Sequence, residues 1–275
     1  MKSSDELIIA NMNIQYFRYP FSYFLENHVA LGFDSFLFWG SVPHIWVDQF
    51  GYEDVTELKE MIRKHKVNLL AYAARPYNYS LFAPKGSLQR KYTESYYRFC
   101  IDIAQKLETN QICVDLWGAL RDIDNTVQYE NCLEMLANLC AYAKTSNCTF
   151  VVGNVPSANS GLINTLDEVQ RLKKDLQMNN LKIALDVCTA LENDEKIEDW
   201  LNIFEKDLSI VYLADGRNTC SGLPLGYGCY PIAKILWLLK DQRYCGTVAI
   251  KMNREKSELN PTRTDKINIT YLQSI

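Results

Sequence analysis

The chain has 275 residues, 48% hydrophobic and 23% charged, enough apolar material for one large core and an ordinary balance for a globular protein. A formal net charge of −4 excludes the basic field of a nucleic-acid binder. No run approaches the roughly 18 apolar residues of a membrane span, and Met1-Lys-Ser-Ser-Asp-Glu6 leads into too short an apolar stretch for a secretory signal, so a cytoplasmic protein is expected.

Strand-like and helix-like segments alternate along the chain. Leu7–Met12 reads as a first strand, followed by a helix over Phe21–Leu31 that Gly32 can stop. Ser35–Trp39 is a second strand, before an irregular stretch from Gly40 to Gly51. Val55–His65 carries Leu58, Met61 and Ile62 at helical spacing. Val67–Tyr72 is a third strand, and a loop with Pro76 and Pro84 runs from Arg75 to Gly86. Ser87 can cap a helix reaching Leu107. Gln111–Asp115 is a fourth strand, and Thr126–Ala143 is a helix with Leu133, Leu136, Leu139 and Cys140 on one stripe.

Thr149–Val152 is a fifth strand, Leu166–Leu176 a helix, and Leu181–Leu185 a sixth strand. A helix over Ile197–Phe204 leads to a seventh strand over Ser209–Leu213. A glycine- and proline-bearing loop, Gly216 to Gly228, precedes a helix at Ile232–Leu239. Thr247–Ile250 is an eighth strand, and the tail after Pro261 a last short helix. Eight such units of about 34 residues each predict a single (β/α)8 TIM barrel spanning residues 1–275. A doubly wound sheet would need a glycine-rich first turn, and Asn11-Met-Asn-Ile-Gln-Tyr16 contains no glycine.

The nine cysteines lack paired short spacing and read as reduced, small hydrophobes, with Cys100, Cys132 and Cys140 on helices and Cys113 and Cys188 on or beside strands. A zinc cluster would need closer pairs. Of the three histidines, His28 and His65 fall on outer helices, as structural or solvated residues.

The strand ends carry the chemistry, because in a parallel barrel they form the active-site mouth. Gly153, Asp186, Tyr212 and Lys251 end the last four strands. One carboxylate, one phenol, one amine and one empty position do not suit a divalent cation. Asp186, flanked by apolar residues, needs a partner, and an inward Lys251 would supply it. Trp39-Gly-Ser-Val-Pro-His44 follows strand two, where an indole face and an imidazole suit a sugar. Asp115 and Trp117 end strand four. Asp115 either accepts from sugar hydroxyls or caps the next segment. Asp215-Gly-Arg217 follows strand seven, with Arg217 either a clamp on an anionic or hydroxyl group or the partner of Asp215 in a loop ion pair.

Together these features resemble the xylose-isomerase-like TIM barrels, the sugar and sugar-phosphate isomerases and epimerases. Trp39-Gly-Ser-Val-Pro-His44 is similar to a motif of fructoselysine-3-epimerase-like members, and Leu185-Asp-Val187 and Pro224-Leu-Gly-Tyr-Gly228 extend the likeness over nearly the whole chain. The resemblance implies a sugar or sugar-phosphate ligand and, from family habit, homo-oligomers. It also implies a divalent cation held by Glu, Asp, His and Glu at the ends of strands five to eight, with the two glutamates as the acid/base pair. Here the first glutamate falls on Gly153 (or Asn154), the aspartate on Asp186, the histidine on Tyr212 and the last glutamate on Lys251. Two further family histidines fall on Thr189 and Gly222.

The expectation is therefore a barrel without the usual metal or other cofactor. Lys251 stands in the cation's place, neutralised by Asp186, with Tyr212 hydrogen-bonding beside it. A sugar-binding pseudoenzyme is the first reading. An isomerase or epimerase working without the usual metal site, through Asp186, Asp215, His44 and Lys251, is the second. A Schiff-base enzyme built on Lys251 is the third, and it requires a lysine of depressed pKa. The endonuclease branch of the superfamily uses many histidines and fits less well.

Overall fold

Eight parallel strands close into a barrel in the order β1-β10-β7-β6-β5-β4-β3-β2. They are β1 (Ile8–Met12), β2 (Ser35–Gly40), β3 (Asn68–Ala74), β4 (Gln111–Val114), β5 (Thr149–Gly153), β6 (Leu181–Asp186), β7 (Leu208–Leu213) and β10 (Thr247–Ile250). This computed structural model describes residues 6–217, 220–253 and 259–275. The leader reading above rests on residues 1–5, which lie outside the described residues, as does 218–219 of the loop after strand seven.

The helices are α1 (Phe21–Ala30), α2 (Thr56–His65), α3 (Leu88–Lys106), α4 (Asn125–Thr145), α5 (Leu166–Leu176), α6 (Val187–Glu192), α7 (Ile197–Phe204), α8 (Ile232–Asp241) and α9 (Pro261–Gln273). The (β/α)8 expectation is met, with differences at element ends. The loop after strand seven contains a two-stranded hairpin, β8 (Asp215–Arg217) with β9 (Cys220–Leu223). The tail helix α9 is 13 residues long, with Pro261 in its first turn. No described helix is long and apolar enough to cross a membrane.

Caps start the helices where the chain supplies an acceptor. Ser87 Oγ accepts from Arg90 N at the head of α3, and Thr165 with Glu168 forms a reciprocal capping box on α5. Strand alternation then sorts the side chains. Ala10, Leu37, Ala71, Val151, Ala184 and Ile210 point into the barrel, while Phe36, Phe38, Ile112, Phe150, Ile183 and Val211 pack outward against the helices. The inner set is rich in alanine, and a cavity opens above it at the C-terminal mouth.

His28 is fully buried on α1, stacked on Phe33 and packed against Phe24 and Phe36. Burial pushes its pKa down to about 4 from 6.5, against the weaker pull of the Asp34 charge. Its pKa is thus depressed in the folded state, so between pH 6.5 and 4 only the unfolded chain takes up the proton, and stability is lost on acidification. Relative to His28→Phe, the wild type is expected to lose about 2 kcal/mol on going from pH 8 to pH 5. Urea titrations of both proteins at the two pH values would read that difference, and equal responses would refute it.

Candidate active site at the barrel mouth

A cavity of about 190 Å³ opens at the C-terminal ends of the strands, lined among others by Trp39, Tyr77, Asp115, Asp186, Tyr212 and Lys251. It is smaller than the roughly 300–1,000 Å³ of drug-sized pockets and suits one sugar ring.

Lys251, just past β10, is the centre of this site. Its Nζ lies 3.5 Å from Asp186 Oδ2 and 3.7 Å from Asp115 Oδ1. It also sits over the face of Tyr212, 4.4 Å from the ring centroid. Burial alone would lower the lysine's pKa, but Asp115 and Asp186 together raise it above its ordinary value. Lys251 is therefore held as an ammonium. The salt bridge expected between Lys251 and Asp186 is present. Tyr212 differs from expectation: it offers its π face to the ammonium, and its hydroxyl pairs with Cys113. Burial pushes the Cys113 thiol up to about 12, so it is no thiolate.

Asp186 has a second task. It is the N-cap of α6, its Oδ1 accepting from Thr189 N at 3.1 Å. Its backbone is gripped by Asn154, whose Oδ1 accepts from Asp186 N at 2.7 Å and whose Nδ2 donates to Asp186 O at 3.1 Å. One side-chain amide thus adds a rung to the β5–β6 ladder just past the end of β5. Asn13 acts alike after β1: its Oδ1 accepts from Trp39 N at 2.6 Å and its Nδ2 donates to Trp39 O at 3.2 Å.

His44 does not line this cavity. Its Nδ1 lies 2.7 Å from Asn13 Nδ2 and its Nε2 lies 2.9 Å from the carbonyl of Tyr19. With Nδ1 accepting and Nε2 donating, both nitrogens are spent within the protein, and burial lowers the ring's pKa. The imidazole supports Trp39 through Asn13 instead of presenting itself to a ligand.

Asp215 and Arg217 also lie away from the cavity. The Asp215 carboxylate accepts from the backbone N–H groups of Gly216, Gly226, Gly228 and Tyr230 at 2.8–3.1 Å. It organises the Pro224-Leu-Gly-Tyr-Gly228 loop, while Arg217 is exposed on β8. Asp215→Asn is expected to cost about 3 kcal/mol, because its NH2 would face N–H donors. A denaturant titration with an unchanged midpoint would contradict that. Trp117 stands one layer behind the cavity, edge-on to Tyr77 at 5.9 Å.

Several lining residues carried no motif. Tyr77, Asn159 and Asn253 come from loops and Ser221 from β9, and Thr189 brings a buried hydroxyl with no hydrogen-bond partner. Position after a strand was the only signal available for Tyr77.

A model of the xylose isomerase-like TIM barrel family matches residues 25–274. No curated protein sequence matches the chain. Among solved structures, D-psicose 3-epimerase with D-tagatose from Clostridium cellulolyticum H10 aligns at TM-score 0.79 and 19% identity, over 98% of this chain and 97% of that one. The 3-keto-D-glucoside 4-epimerase from E. coli aligns at 0.82 and 15%, over 98% and 100%. An AP endonuclease, family 2, from Brucella melitensis aligns at 0.72 and 16%, over 94% and 98%. At these identities the likeness is one of fold.

Proposed function

The chain belongs to the xylose isomerase-like TIM-barrel family, and from that premise we propose that it is a sugar-binding barrel without metal-dependent isomerase or epimerase turnover. The observation that carries this reading is the Lys251 ammonium seated between Asp186 and Asp115 on the face of Tyr212.

The divalent cation implied by the family does not fit these residues. Gly153 offers no donor, and a Cβ built there would collide with the carbonyl of Ala184. The Tyr212 phenol keeps its proton, since burial holds its pKa well above the ordinary value. Lys251 brings a positive charge where a cation would have to sit. A side chain at Gly222 is excluded too, because Asn253 fills that space. The remaining cavity supports sugar binding: Trp39 and Tyr77 give aromatic surface, and Asn159, Ser221 and Thr189 give polar groups.

Turnover without a metal is the second reading. Two carboxylates, Asp115 and Asp186, flank one ammonium, a set that can move protons and steady an enediolate. A Schiff base on Lys251 is opposed by the same pair, which keeps the amine protonated. An endonuclease role is opposed by the net charge of −4.

The test combines two measurements. Calorimetry with Mn²⁺, Mg²⁺, Co²⁺ and Zn²⁺ is expected to give no stoichiometric binding, and ketohexoses are expected to bind without exchanging the proton beside the carbonyl in D2O. Stoichiometric metal binding, lost in Asp186→Ala and accompanied by exchange, would overturn the proposal. Exchange without metal would establish the second reading.

A further inference from the structure

The mouth continues past the sugar-sized chamber. Arg75, which follows β3, lines a second cavity of about 230 Å³ together with Ser41, Trp46, Asn78 and Tyr77. Tyr77 lines both cavities, so the two adjoin. The Arg75 guanidinium rests on the Tyr77 ring, 5.0 Å from its centroid, and Nη1 donates to Ser41 Oγ at 3.2 Å. Its Nε is buried with no hydrogen-bond partner.

The two chambers differ in charge balance. Lys251 has two carboxylates, whereas no ion pair to Arg75 is found among the described residues. Asp48, the acid lining the second cavity, turns Oδ1 to the backbone N–H groups of Phe50 and Gly51 at 2.7 and 3.2 Å. A half-buried guanidinium with most of its donors uncommitted is costly to keep. Its flat fork matches an oxyanion.

We propose that the Arg75 chamber takes an oxyanion, a phosphate or carboxylate, carried by the sugar in the Lys251 chamber. The ligand class is then an anionic monosaccharide. This rests on the sugar-binding reading above for the first chamber, while the anion site itself depends only on Arg75 and its surroundings. The neutralised Lys251 leaves Arg75 as the group that distinguishes a charged sugar from its neutral parent.

Calorimetry at low and high salt, with fructose, fructose 6-phosphate, glucuronate and inorganic phosphate, tests it on the wild type and Arg75→Met. Fructose 6-phosphate or glucuronate is expected to bind the wild type at least about tenfold more tightly than fructose. That advantage should shrink with salt and vanish in Arg75→Met. Whichever of the two anionic sugars gains more identifies the source of the oxyanion. Equal affinities for neutral and anionic sugars in the wild type would overturn the proposal without any variant, as would an advantage that survives Arg75→Met. If no sugar binds but inorganic phosphate binds through Arg75, the sugar-binding reading falls and the anion site stands. If neither sugars nor phosphate bind, both fall.

Discussion

Replacing Lys251 with methionine is expected to destabilise the protein by about 2 kcal/mol at neutral pH, although the two side chains have similar reach. Methionine removes the charge and leaves Asp186 and Asp115 facing each other's field at the mouth. Breaking a fully buried ion pair costs about 3–5 kcal/mol. The Lys251, Asp186 and Asp115 side chains are 25%, 14% and 38% exposed, so solvent screens part of that cost. Adding Asp186→Asn to Lys251→Met should recover part of the loss, a coupling that a double-mutant cycle measures. Millimolar Mn²⁺ is expected to raise the Tm of Lys251→Met and leave the wild type unchanged, since only the variant has carboxylates in want of a cation. A variant as stable as the wild type and indifferent to Mn²⁺ would mean that the ammonium has no part in balancing this site.

Gly153→Ala is expected to cost about 3 kcal/mol or more, a large effect for one methyl group. Gly153 pairs with Ala184 across β5 and β6, and an added Cβ would strike the Ala184 carbonyl. The strands would have to part, and the Asn154 rung holding Asp186 would part with them. Gly153→Glu, which restores the residue type the family resemblance implies, is expected to be at least as unstable and to gain no metal affinity. Thermal melts and Mn²⁺ titrations of the two variants decide this. A stable Gly153→Glu that binds Mn²⁺ would show that the strands adjust easily.

Much of the barrel was legible in the chain because strand ends and helix stripes repeat with regular spacing. The inward position of Asp186 and Lys251 follows from the same periodicity, which sets both at strand ends facing one mouth. His44 and Asp215 were harder, because they bond to backbone groups: one ring nitrogen of His44 and the whole carboxylate of Asp215. The carbonyl of Tyr19 and the four N–H groups around Asp215 leave no mark in a sequence of side chains. Asn13 and Asn154 were silent for a related reason. An asparagine after a strand reads as a turn former, and only the neighbouring strand reveals that its amide replaces a peptide group. Arg75 lies in a loop whose prolines signal turns, and no motif around it marks a cavity wall. The β8–β9 hairpin was hidden because Gly216 and Gly222 signal turns more strongly than the short runs beside them signal strands.

The buried carboxyl of Asp265 on α9 accepts from Gln15 and Tyr16 at 2.6 Å, across a separation of about 250 positions. During synthesis the donors on the first turn emerge from the ribosome long before their acceptor exists. The pairing of β1 with β10 imposes the same wait. The early half of the chain must therefore remain open at its seam until β10 and α9 have been made, and chaperone capture in that interval should be directed at the edge of β1.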